Sequence, residues 1–164
     1  HRGHRGMGKT SLAVHWAHQV RERFPDGELY VNLRGYDPGP PVTPEQALDG
    51  FLRALDVPAE KIPHDVDAQA GLYRSLLAWR RMAVVLDNAA TPEQVRPLLP
   101  GSPTCAVVVT SRSRLSGLVA RDGAHRLTLD VLPPGRRGHA AAPRHRGRPS
   151  RCRTGGGGRV GPAL

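Results

Sequence analysis

Near the amino end of the chain, glycine, lysine and threonine stand at a spacing suited to holding a phosphate. The run Gly3-His4-Arg5-Gly6-Met7-Gly8-Lys9-Thr10 fits the pattern G-x-x-x-x-G-K-[ST] with no mismatch. Glycine has no Cβ, so Gly3, Gly6 and Gly8 let the backbone wrap closely round an anion and take positive φ angles. The N–H groups of this stretch, through Met7 and on to Ser11 at the start of a helix, then face the anion. Lys9 reaches the β- and γ-phosphates, and Thr10 offers its hydroxyl to Mg²⁺. A glycine-rich turn without a ligand has the same composition. The phosphate pattern also demands a helix directly after it, and one is legible there.

Two further groups of residues carry chemistry. Met82-Ala-Val-Val-Leu86 is an apolar run that ends in Asp87, and Cys105-Ala-Val-Val-Val109 runs into Thr110, Ser111 and Arg112. In parallel α/β folds, functional residues cluster at the carboxyl ends of strands. A carboxylate at Asp87 can hold Mg²⁺ directly or through water, because this hard cation prefers oxygen ligands. The plainer reading is a solvated Asp in a turn with Asn88. Arg112 has the planar fork that reads a γ-phosphate, and Thr110 can orient the same group; the plainer reading of Arg112 is a surface arginine. Arg34, in a later loop, would lend electrostatic support, while His15 and His18 read as surface or boundary residues.

Helices and strands must position these groups. After Thr10, the residues Leu12, Trp16, Val20 and Phe24 recur every fourth position beside Ala13 and Ala17, which predicts a helix buried along that stripe and stopped at Pro25-Asp26-Gly27. Glu28 to Leu33 alternates Leu29, Val31 and Leu33 as a strand does. Thr43-Pro44-Glu45-Gln46 supplies an N-cap, a proline at the first helical position and a capping-box glutamine. The helix it opens has Ala47, Leu48, Phe51, Leu52 and Leu55 inward and breaks at Asp56-Val-Pro58. Another helix is predicted from about Asp67 to Arg81 with Leu72, Leu76 and Trp79 inward. Met82–Asp87 and Cys105–Thr110 read as strands buried on both faces, with Cys105 a buried thiol. Thr91-Pro92-Glu93-Gln94 repeats the capping grammar for a short helix ending near Leu99. A short helix from Arg114 to Val119 and a last strand from Arg126 to Asp130 complete the series. Alternating strands and helices imply a parallel sheet with helices on both faces.

Composition narrows the classes. The 164 residues suffice for one domain with a core, and no apolar run approaches the ~18 needed to cross a bilayer. Two cysteines make no disulfide framework and no zinc site, and a reduced, cytoplasmic setting follows. The net charge of +10 is unevenly spread: all 14 acidic residues lie between Glu22 and Asp130. From Val131 onward the chain has arginines but neither lysine nor acid. The part before it is near neutral.

Taken together, Gly-His-Arg-Gly-Met-Gly-Lys-Thr, Leu-Tyr-Val-Asn-Leu-Arg-Gly-Tyr, Val-Val-Leu-Asp-Asn-Ala and Val-Val-Val-Thr-Ser-Arg resemble the NB-ARC domain of signal-transduction (STAND) P-loop ATPases. The likeness is strongest to bacterial transcriptional regulators of the antibiotic-regulatory (SARP) type, and it runs from about Gly3 to Leu132. It implies a three-layer P-loop NTPase fold and an ADP/ATP-binding regulatory switch using Mg²⁺. It further implies Gly3, Gly6, Gly8, Lys9 and Thr10 as the Walker A loop, Asp87 as the Walker B acid with Thr10 at the metal, and Arg112 as the sensor arginine. Self-association and DNA contact, on this resemblance, belong to the intact regulator and to regions outside these residues. Ligand exchange moves such a switch only because the two states bind it differently.

Three departures from the family pattern stand out. Asn88 occupies the position where many members carry a second acid, and an amide is no general base, so binding is expected ahead of turnover. The strand that normally precedes the phosphate loop, beside the strand ending at Thr110, is expected to be missing from a chain that begins at His1, as are the helical subdomains that normally follow. Residues 133–164, rich in Arg, Gly and Pro, lack an apolar period and are predicted to be disordered. That tail supports the rival reading of weak, sequence-blind nucleic-acid binding, against which stands its lack of aromatics. A third reading is an inactive truncated remnant.

Overall fold

The computed structural model describes residues 8–129. The apolar runs fold as three strands: β1 (Glu28–Asn32), β2 (Ala83–Ala89) and β3 (Ala106–Ser111). They form one parallel sheet in the order β1-β2-β3. Helix α1 (Lys9–Gln19) precedes β1, α2 (Pro44–Ala54) and α3 (Val66–Leu77) lie between β1 and β2, α4 (Pro92–Val95) lies between β2 and β3, and α5 (Ser116–Asp122) follows β3. The α/β class and the parallel sheet expected from the alternation are present. The expected tail and the loop residues Gly3, Gly6 and Met7 lie outside the described residues.

Strand periodicity sorts the side chains onto two faces. Leu29, Leu33, Val84 and Leu86 meet Leu48, Phe51 and Leu52 of α2 and Ala70, Tyr73 and Leu77 of α3 in the main core. The Phe51 and Tyr73 rings stack there with centroids 5.7 Å apart. On the other face Val85 and Val108 meet Ala13 and Ala17 of α1, with Trp16 alongside. That second face carries Tyr30 and Asp87 to the same side as α1, since Tyr30 pairs with Val85 and Asn32 with Asp87.

Local chemistry accounts for the helix starts. The Thr43 side chain accepts from the Gln46 N–H while the Gln46 side chain accepts from the Thr43 N–H, a complete capping box. The five inward residues expected on α2 and its end, from Ala47 to Leu55, are all buried. At α4 the Thr91 side chain caps Gln94, but the Gln94 side chain turns into the core instead. It donates to the carbonyls of Leu33 (2.9 Å) and Val42 (2.8 Å) and accepts from the Ala90 N–H (3.0 Å).

Four expectations are corrected. First, α1 does not bury the Leu12 stripe: Leu12 is 50% exposed, and Ala13 and Ala17 make the contact. A pair of alanines lets the helix backbone sit close to the sheet, which turns Leu12, about 100° round the helix, outward. Second, α3 stops at Leu77, and Trp79 is 94% exposed beyond its end. Its inward residues are Gln69, Ala70, Tyr73 and Leu77, with Leu72 and Leu76 partly buried at the flank. Third, residues 124–129 form no strand, and Asp130 is outside the described residues. Fourth, β3 has four half-buried residues from Ala106 to Val109 in place of full burial, and Cys105 just before it is half-buried too. Among the described residues β3 is an outer strand, paired only with β2.

Candidate functional site

The site lies where α1 begins and β2 and β3 end. Gly8 caps α1 with φ 68°, a left-handed conformation that glycine takes without strain. Lys9 is the first helical residue and is half-buried; Thr10 and Ser11 follow on the exposed first turn. This geometry aims the Thr10 hydroxyl at the end of β2, 77 residues away in sequence, where it donates to Asp87 Oδ1 at 2.9 Å and Oδ2 at 3.0 Å.

Asp87 is 4% exposed, and hydroxyls surround its carboxylate. Besides Thr10, the buried Thr110 hydroxyl at the end of β3 donates to Oδ1, and the Tyr30 phenol on β1 reaches Oδ2 at 3.4 Å. The described structure gives Asp87 three hydroxyl partners and no ion pair. Burial first, and then the Asp87 charge and hydrogen bond, push the Tyr30 phenol above its ordinary value, so it stays a donor.

A bulge sets up this meeting. β2 spends three steps from Leu86 to Ala89 while β3 spends two from Val109 to Ser111. Asn88 absorbs the extra residue with φ 59°, a left-handed angle that asparagine tolerates better than most residues. Its N–H donates to Thr110 Oγ1 at 3.0 Å, its carbonyl accepts from the Gly35 N–H at 2.7 Å, and its amide donates to Asp37 Oδ1 at 3.1 Å. Gly35 is needed for that approach, because a Cβ there would lie 2.5 Å from the Ala90 nitrogen. The loop after β1 is thereby pinned against the end of β2.

Arg112 follows β3, and its guanidinium lies 5.3 Å from the centroid of the Tyr36 ring in the pinned loop. Arg34 is exposed with φ 51°, its N–H held by the Asn32 side chain at 2.9 Å. His15 and His18 are exposed.

The structure therefore brings Thr10, Thr110 and Asp87 together and sets Arg112 on an aromatic ring. Sequence reading missed Tyr30 and Tyr36. Alternation along β1 put Tyr30 on the face opposite Leu29 and Val31, which was the available signal. Nothing local pointed to Tyr36. A separate cleft of about 490 Å³ opens at the opposite end of the sheet, lined by His18, Arg21, Glu22, Phe24 and Glu28, and holds none of these site residues.

The chemistry of the donor set suits a small hard cation: one carboxylate and one hydroxyl in contact, both oxygen ligands.

The chain is similar to a segment of the regulatory protein AfsR. It is 52% identical to AfsR of Streptomyces griseus over 129 residues, 79% of this chain and 13% of that protein. Against AfsR of Streptomyces coelicolor the identity is 51% over the same length and the same shares. The chain thus spans about 13% of the length of these curated relatives. No family model matches it. No helix among the described residues is long and apolar enough to cross a membrane.

Proposed function

We propose that this chain is the nucleotide-binding part of a regulatory switch of the NB-ARC, STAND-class P-loop type, taking ADP or ATP with Mg²⁺. The observation that carries the reading is the Thr10 hydroxyl on the buried Asp87 carboxylate, directly after Gly8 and Lys9 and at the carboxyl ends of parallel strands. Thr10 and Asp87 would hold the cation, Asp87 directly or through water. Mg²⁺, when bound, offsets the charge of the phosphates. Lys9 would reach the β- and γ-phosphates, and the backbone N–H groups at the start of α1 would face the same anion.

Arg112 would read the γ-phosphate with its fork of donors, making ATP and ADP different ligands for this surface. Asn88 carries an amide whose donor is engaged by Asp37, so position 88 offers no carboxylate to polarise water. Binding is the function, with at most slow hydrolysis. The similarity to regulatory proteins supports placing the switch in a transcriptional regulator. DNA contact and self-association then fall to parts of the intact regulator outside this chain.

The test is equilibrium binding of a fluorescent ADP analogue with Mg²⁺ to this chain and to Lys9→Ala. Saturable binding that the variant loses by about tenfold or more is the expected result. A folded native sample that binds nothing overturns the reading.

A further inference from the structure

We propose that Tyr36 is a positioning residue that holds Arg112 against the loop after β1, so that release of the arginine from the ring is part of telling ATP from ADP. The proposal rests on the switch reading above and adds to it a residue and a competing state.

The geometry carries it. The Arg112 guanidinium lies over the Tyr36 ring at 5.3 Å, within the range in which a cation is attracted to an aromatic face. Tyr36 is held in place to receive it. Its neighbours on both sides are tied to the end of β2: the Gly35 N–H to the Asn88 carbonyl at 2.7 Å, and Asp37 to the Asn88 amide at 3.1 Å. Gly35 has no room for a Cβ, so this part of the loop cannot stand further off without losing those contacts. Asn88 in turn donates to Thr110, and Thr110 donates to Asp87. One continuous set of contacts therefore joins the ring under Arg112 to the carboxylate beside Thr10.

Arg112 has no carboxylate partner among the described residues, and its side chain is exposed. Among the described residues the Tyr36 ring is the group that faces its charge. The charge of a guanidinium over a ring is attracted to the aromatic face, so the loop that carries Tyr36 helps to set where Arg112 lies. A γ-phosphate that draws Arg112 toward it must compete with the ring, whereas ADP leaves the stack alone. Tyr36 thus biases the site toward ADP.

Two measurements on the full 164-residue chain test this. In the absence of nucleotide, NMR of the Arg112 side chain should show upfield-shifted δ-methylene protons from the ring current. The shift should vanish in Tyr36→Leu and persist in Tyr36→Phe. In binding assays Tyr36→Leu should raise the affinity for ATP relative to ADP by about two- to fivefold, Tyr36→Phe should behave as native, and Tyr36→Leu should have no effect once Arg112→Ala is present. An absent ring-current shift overturns this hold on Arg112, as does Lys9-dependent binding whose ATP-to-ADP ratio ignores Tyr36. Failure of all nucleotide binding with the ring-current shift intact overturns the switch reading and the discrimination built on it, while leaving the stack as a structural contact.

Discussion

The Thr10 hydroxyl touches both oxygens of the Asp87 carboxylate, at 2.9 and 3.0 Å, across 77 residues of chain. A bidentate contact of this kind centres the carboxylate on the start of α1, which is where a cation beside a phosphate would sit. Asp87→Asn keeps the shape and removes the charge. Magnesium should strengthen ADP binding by about tenfold in the native chain and by less than about twofold in this variant. Calorimetric titration with and without EDTA measures the difference, and equal magnesium dependence in the two proteins would contradict the assignment.

Gly35 lies so close to the end of β2 that a methyl group would sit 2.5 Å from the Ala90 nitrogen and 2.6 Å from the Asn88 carbonyl oxygen. Those are backbone atoms that cannot rotate away. Gly35→Ala should cost about 1–3 kcal/mol of stability, the range for forcing an added methyl into packed structure. Urea unfolding reads it as a lower midpoint at unchanged slope.

Gln94 ties three backbone groups together from inside the core. Gln94→Leu would leave the Leu33 and Val42 carbonyls and the Ala90 N–H without their side-chain partner. Buried groups that lose a partner each cost about 1–3 kcal/mol, and relaxation recovers part of the sum, so a loss of about 3 kcal/mol is expected. A variant as stable as the native chain would mean that water replaces the amide. Gln94→Glu is the companion substitution: it keeps the acceptor for Ala90 but faces two carbonyls with a carboxylate, and should be at least as damaging at neutral pH.

Tyr73 is fully buried, and its hydroxyl has no hydrogen-bond partner among the described residues. Burial first, then the Cys105 charge, drives its phenol far above the ordinary tyrosine value. The raised value sets the sign: the native state holds this proton more tightly than the unfolded chain does. Its contribution is fully present below about pH 10, the unfolded value, and is lost progressively above it. Tyr73→Phe removes an unsatisfied group and should stabilise the fold by about 1 kcal/mol at neutral pH. It should also flatten the alkaline loss of stability above about pH 10. Chemical unfolding at pH 7 and at pH 10.5 gives both numbers, and a destabilised phenylalanine variant would show that the hydroxyl has a partner after all.

The sequence was most legible where one local rule governs one element. The capping box at Thr43 and Gln46 fixed the start of α2, and its four-residue apolar spacing named the buried residues correctly. The strand ends delivered Asp87 and Thr110 to one place, as the alternation of elements required. Apolar size misleads where small residues make the contact or an element ends early. In α1 the small alanines touch the sheet, and at the end of α3 the helix has stopped before Trp79 can turn inward. Alternation gives the face of Tyr30 but not the register that brings it to Asp87, and Tyr36 is illegible because its role depends on loop closure. The paired Thr91 and Gln94 shared their spacing with Thr43 and Gln46, yet the second glutamine serves the core; spacing cannot tell which way an amide turns.

Asn88 has engaged its N–H, its carbonyl and its side-chain amide within the protein. Position 88 and position 37 consequently form a matched pair in which one residue sets what the other can be. A carboxylate in place of the Asn88 amide would confront Asp37 across a contact of 3.1 Å, and like charges at that separation repel. An acid at position 88 thus needs a neutral partner in the loop, so Asn88→Asp alone should loosen the loop and Asp37→Asn should restore it. A change of charge at position 88 therefore reaches the loop after β1 as well as the end of β2.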